Sequence, residues 1–141
     1  MKRQIVSLLG VFGLLLVAAC ASAQSLKVSA NVPFNFVVDK ATLPAGAYSI
    51  DAISSSGSKT LLIQNRDARI QMVTLPNSAE SLHPSSSTCL VFHRYGDRYF
   101  LAQIWVAGNN SGRQFRMSRH ETEVATNTQP AQDVIVLASL R

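Results

Sequence analysis

The chain has 141 residues and a formal charge of +5, and two of its basic residues, Lys2 and Arg3, stand at the extreme N-terminus. Without them eleven basic residues face eight acidic ones, a formal +3, and no concentrated basic stripe is present, so a nucleic-acid partner is not expected. Of the two cysteines, Cys20 and Cys89, either export cleavage leaves the folded domain with Cys89 alone, so no internal disulfide is expected and the folded part must be held by its core.

The N-terminal segment sets the first expectation. Lys2 and Arg3 form a positive n-region, residues 5–19 form an apolar run, and Ala21-Ser22-Ala23 supplies the small-x-small pattern read by a signal peptidase. Residues 1–23 are therefore read as a signal peptide and residues 24–141 as one exported domain, long enough to bury a core. The apolar run is shorter than the roughly twenty residues that a membrane-crossing helix requires. A second processing route competes: Val17-Ala18-Ala19-Cys20 resembles the lipobox of bacterial lipoproteins, whose cysteine takes a diacylglyceryl group. Membrane attachment is expected only if Cys20 is lipidated. The short stretch between Cys20 and the first strand-like residues favours ordinary cleavage, with a periplasmic or secreted product.

From there the punctuation is that of an all-β chain. Val32, Phe34, Phe36 and Val38 fall on one face of an extended segment while Asn31, Asn35 and Asp39 mostly face the other way, a pattern that predicts a first strand, and Pro33 places it at an edge or a strand start. Leu43-Pro44-Ala45-Gly46 fits a type I turn. Tyr48, Ile50 and Ala52 predict a second strand that runs into the serine-rich loop 54–58. Residues 61–64 and 70–75 flank Asn65-Arg66-Asp67 and read as a hairpin closed by Pro76-Asn77-Ser78. Residues 79–87, with Pro84 and several serines, read as a surface connection, and His83 within it has no second ligand nearby, so no metal site is expected.

The densest stretch is "VFHRYGDRYFLAQIW", residues 91–105. Glycine at the first central position of Gly96-Asp97 predicts a type II′ hairpin turn. That turn fixes a register in which Tyr95 opposes Arg98, Arg94 opposes Tyr99, His93 opposes Phe100, Phe92 opposes Leu101, Val91 opposes Ala102 and Cys89 opposes Ile104. Near the tip, an arginine cation is placed to lie over a tyrosine ring. A catalytic reading asks for more: His93 as a general base needs an orienting acid and a nucleophile or metal, and its cross-strand neighbours in this register are apolar. No catalytic residue, cofactor or metal is assigned. Cys89, among Thr88, Leu90, Val91 and Phe92, reads as a small buried apolar residue.

Beyond the hairpin, residues 108–112 form a glycine- and asparagine-rich turn. Ser118-Arg119-His120-Glu121 matches a capping box and predicts a short helix over 119–125. Arg113 and Arg116, together with the hairpin's Arg94 and Arg98, are the candidate anion-binding set. Residues 134–140 supply a last apolar strand.

The motifs "VPFNFVV", "TLPAGAYSI", "LVFHRYGDRYFLAQIW" and "GRQ…SRHE" together resemble a family of small exported bacterial proteins of unknown function, with shared V-P-F-x-F, L-P-A-G-x-Y and R-Y-G-x-x-Y-F-L elements. The resemblance implies export and a single β-rich domain and brings no catalytic residue; the lipobox before Cys20 departs from it. The expected fold is all-β, a single antiparallel sandwich or partly closed barrel of seven to eight strands with one short C-terminal helix. The expected function is a non-enzymatic binding or structural module of the cell envelope, its partner an anionic envelope polymer. The alternative is a carrier that takes a small apolar ligand into a barrel interior.

Overall fold

The computed structural model describes residues 25–53 and 59–141; the expected signal peptide over residues 1–23, with Cys20, and the serine-rich residues 54–58 lie outside the described residues. Among the described residues eleven strands and one helix follow in order: β1 (Lys27–Val32), β2 (Phe36–Val38), β3 (Ala41–Leu43), β4 (Gly46–Ala52), β5 (Leu61–Asn65), β6 (Ile70–Thr74), β7 (Asn77–Glu80), β8 (Cys89–Tyr95), β9 (Arg98–Trp105), β10 (Ser111–Gln114), α1 (Arg119–Asn127) and β11 (Gln132–Leu140). The strands join one continuous sheet of order β3-β2-β9-β8-β11-β1-β4-β5-β6, with β10 on β9 and β7 on β10, curled into an open half-barrel. All pairings are antiparallel except β2 on β9. Among the described residues no helix is long and apolar enough to cross a membrane.

The strand count exceeds the expected seven or eight for identifiable reasons. The Val32-to-Val38 stretch is not one strand, because the chain leaves the ladder at Pro33, which has no N–H to donate. Its inward alternation survives, with Val32, Phe36 and Val38 all buried, but it is shared between β1 and β2. The Leu43–Gly46 segment is a bend that carries the chain from β3 to β4, strands at distant places in the sheet, rather than closing a hairpin. Three side chains brace it: Tyr48 donates its hydroxyl to the Pro44 carbonyl at 2.5 Å, Asn35 Oδ1 accepts the Ala45 N–H at 2.9 Å, and Tyr48 meets Phe36 edge to face. Residues 77–80, read as the close of the hairpin and the start of the serine-rich connection, form a strand as well, since β7 pairs with β10 from Asn77 to Glu80. Both are short, polar and mostly exposed, which leaves no apolar period to read.

The β5–β6 hairpin and the β8–β9 hairpin stand where the sequence places them. At the latter's tip Gly96 has φ 65°, while Asp97 is not among the non-glycine residues with positive φ, as a type II′ turn requires. The first four cross-strand pairs hold. Beyond them a β-bulge at Ala102 moves the register, so that Val91 faces Gln103 and Cys89 faces Trp105 instead of Ala102 and Ile104. The bulge has a packing cause: Leu101 and Ile104 are three residues apart and both join the core, which a strict period of two forbids.

Inside the curl, Val28, Val32, Phe36, Tyr48, Ile50, Leu61, Ile63, Leu90, Phe92 and Ile104 form one core. The two ends of the strand order meet through a side chain: Thr74 of β6 donates its hydroxyl to Asp39 Oδ2, in the β2–β3 turn, at 2.6 Å. Side chains therefore occupy the interior that the carrier reading reserves for a ligand.

Candidate functional site

Three regions carry polar chemistry, and each is built by a different part of the fold.

The first lies on the outer face of the β8–β9 hairpin. Strand alternation turns His93, Tyr95 and Phe100 outward, away from Phe92 and Leu101, and α1 packs over them. Ser118 caps the helix as expected, accepting the Glu121 N–H at 3.1 Å. The capping box is only half made in its own right, because the Glu121 carboxylate turns to the sheet. It lies 2.8 Å from His93 Nδ1 and accepts the Tyr95 hydroxyl at 3.2 Å, with only 5% of the residue exposed. His93 thus has the orienting acid that its strand neighbours do not supply; it comes from the helix, 28 residues further along. Its Nε2 faces Asp133 Oδ1 at 3.9 Å, beyond hydrogen-bond reach. Among the described residues no serine, threonine or cysteine is hydrogen-bonded to this imidazole, and no group of three or more His, Cys, Asp or Glu is placed to hold a metal ion. What the arrangement does chemically is dock a helix: a buried carboxylate is matched by two donors of the sheet. Burial raises the Tyr95 hydroxyl above its ordinary 10.0, and the Glu121 charge, the hydrogen bond to Glu121 and the Asp133 charge push the same way.

The second region is a groove of about 610 Å³ between the β2–β3 turn and the start of α1, bordered by Lys40, Arg116, Arg119 and His120 but also by Asp39 and Glu123. The two carboxylates offset two of its three full positive charges.

The third is a groove of about 560 Å³ at the opposite end of β9, where the starts of β1 and β10 and the end of β11 come together. Lys27, Arg113 and Arg141 line it, and no acidic side chain does. Arg141 is already matched, since its Nη2 donates to both oxygens of Asp51 at 2.7 and 2.8 Å. Arg113 is not: its Nε is buried without a hydrogen-bond partner, and its Nη1 reaches only the Gly112 carbonyl at 3.4 Å. A buried donor left unpaired costs about 1–3 kcal/mol, which singles this guanidinium out. Leu26, Ile104, Val106 and Leu140 give the same groove an apolar wall, and Leu140 is 55% exposed.

The four arginines of the sequence reading do not share a site. Arg94 and Arg98 leave the hairpin on opposite faces: Arg94 lies over the Tyr99 ring at 5.6 Å, as expected, whereas Arg98 approaches His120 of α1 at 3.1 Å. Arg116 borders the second groove and Arg113 the third. Arg113 pairs opposite Ile104, six residues from Arg98 along β9, which is about 20 Å at the rise of a strand. Lys27 and Arg141, which complete the third groove, have no local sequence signal, because only the pairing of β1 with β11 brings the two chain regions together.

Comparisons of the chain with protein-family models, with curated proteins and with solved structures found no match.

Proposed function

We propose that the protein is an exported, non-enzymatic binding module of the cell envelope that takes an anionic ligand in the groove lined by Lys27, Arg113 and Arg141. The observation that carries the reading is the pairing of an unmatched, half-buried guanidinium with a groove free of acidic side chains. The resemblance of the three sequence motifs to small exported bacterial proteins agrees with the export half of the reading. The alternative, a carrier that takes a small apolar ligand into a barrel interior, has less support, because Phe36, Tyr48 and Phe92 pack there.

Dextran sulfate, a polymeric anion, is a direct probe. Its binding, followed by calorimetry, should fall steeply between low and moderate salt, because exposed charges are screened over about 10 Å at 0.1 M. Lys27→Gln and Arg113→Gln should each weaken it, while Arg94→Gln, on the distant hairpin tip, leaves it unchanged. Binding that ignores salt, or that Arg94→Gln weakens as much as Arg113→Gln, defeats the proposal.

A further inference from the structure

We infer that the ligand of this groove is an anionic amphiphile, a single acyl chain ending in a carboxylate or comparable anion, an inference that rests on the binding reading above and narrows it. A site for a bare anion needs donors alone. This groove adds apolar lining from Leu26, Val106 and Leu140, drawn from three places in the chain, and from Ile104, which is itself only 1% exposed. Leu140 leaves 55% of its surface in water although it closes the last strand of the sheet, so a bound chain would cover it. The polar end is equally specific. Lys27 is exposed and makes no ion pair among the described residues, since Asp51, which faces it across the β1–β4 ladder, is held by Arg141, and Arg113 keeps Nε without an acceptor. Arg141, held by Asp51, frames the site from the side and carries no unmatched charge. Two free cations beside an apolar wall fit one anionic head and one tail, whereas a polymeric anion would leave the wall in water.

Packing at the rim supports a fixed shape. Gly112 lies where a Cβ would stand 2.7 Å from both the Ile104 carbonyl oxygen and the Trp105 ring, so the floor of the groove is set by close approach of backbone to backbone. The lining is therefore formed mainly by strand ends locked in ladders, β1 on β11 and β10 on β9. Such a site is built before the ligand arrives, which keeps the ordering cost of binding low.

The experiment uses acetate, hexanoate, octanoate and decanoate, each below its micellar concentration, with decanol as the uncharged control. Affinity should rise along the series by up to about fourfold per buried methylene. Backbone amide shifts in NMR should change at Leu26, Gly112, Arg113 and Leu140. Arg113→Gln and Lys27→Gln should each weaken decanoate roughly tenfold, the scale of one charge-assisted hydrogen bond, and leave decanol unaffected. Leu140→Ser, an exposed change that spares the core, should weaken decanoate by a larger factor than it weakens acetate. If dextran sulfate binds through Lys27 and Arg113 while decanoate binds no tighter than acetate, the amphiphile is wrong and the anion module stands. If neither anion responds to those two substitutions, both readings fall. Decanoate binding that matches decanol and ignores Lys27→Gln is surface adsorption and overturns the inference.

Discussion

Gly96 and Gly112 show how differently one residue type is required in this chain. Gly96 sits at φ 65° with open space around it, so its need is conformational. Gly96→Val should cost roughly 1–3 kcal/mol through backbone strain, and Gly96→Asn, a residue that tolerates the left-handed region, much less. Thermal unfolding of the two variants beside the parent separates them. Gly112 is required by contact: Ala there meets a carbonyl oxygen that cannot move without breaking the β9–β10 ladder. Gly112→Ala should therefore lower the melting temperature and change the emission of Trp105, the single tryptophan of the chain. The first glycine is legible in the sequence because Gly-Asp between two apolar strands is a turn signal; the second is not, because its neighbour Trp105 is brought close by a pairing the sequence does not announce. Cys89 belongs with the legible residues. It is 6% exposed, and burial raises its thiol above 9.0, so the native protein should react slowly with an aromatic disulfide reagent at neutral pH and rapidly once unfolded. Fast reaction of the native thiol would mean that the β8–β9 ladder opens locally.

At the scale of elements, the helix and its partner hairpin carry the clearest division between what the sequence states and what the fold adds. Ser118 and Glu121 predict the helix start correctly, yet the carboxylate is spent on His93 and Tyr95 rather than on the helix backbone. No local pattern shows this, because the contact joins residues 26 and 28 positions apart. The bulge at Ala102 is a different case. The spacing of Leu101 and Ile104 already conflicts with alternation, and the conflict is resolved by one extra residue in the ladder. Two predictions follow from the docked carboxylate. Glu121→Leu leaves the His93 and Tyr95 donors facing an apolar side chain and should destabilise the protein by about 1–3 kcal/mol in urea unfolding. Glu121→Gln keeps an acceptor but removes the charge, so the Tyr95 hydroxyl should ionise closer to its ordinary 10.0 in an ultraviolet phenolate titration. The sign for stability is definite. A hydroxyl whose folded pKa is raised contributes stability that is full below the unfolded value and is lost as pH rises through the folded one. Tyr95 and Tyr48, the latter raised by burial and partly held back by Asn65, thus make the parent lose stability in strong alkali. An alkaline transition in Glu121→Gln at the same pH as in the parent would remove Glu121 from that account.

Over the whole molecule, the motif residues that look scattered in the sequence converge on the joints of the curled sheet. Phe34 and Asn35 come from the first motif, Pro44 and Tyr48 from the second, and Arg94 and Tyr99 from the third. Phe34 stacks on Tyr99 with ring centroids 3.8 Å apart, Arg94 covers the other partner of that stack, and Asn35 and Tyr48 brace the bend that carries the chain to β4. These residues thus serve the architecture, and the groove at the opposite end of β9 is left to Lys27, Arg113 and Arg141, none of which belongs to a turn or an aromatic stack. That location makes N-terminal processing a question about function. β1 begins at Lys27, so a chain cleaved after Ala23 keeps three residues ahead of the strand that supplies a groove cation. Lipidation at Cys20 would instead leave six residues between the lipid and β1, a tether of at most about 20 Å when fully extended, and would hold the groove at a membrane surface. We expect cleavage after Ala23 and a mature chain that begins at Gln24, because Ala21-Ser22-Ala23 offers the peptidase its small side chains and so short a tether restrains a domain whose first strand is central in the sheet. Intact-mass measurement on protein from its native host decides between the two. A mass for residues 24–141 without an adduct supports the free exported module, and a diacylglyceryl adduct on Cys20 replaces it with a module that meets its amphiphile at the bilayer.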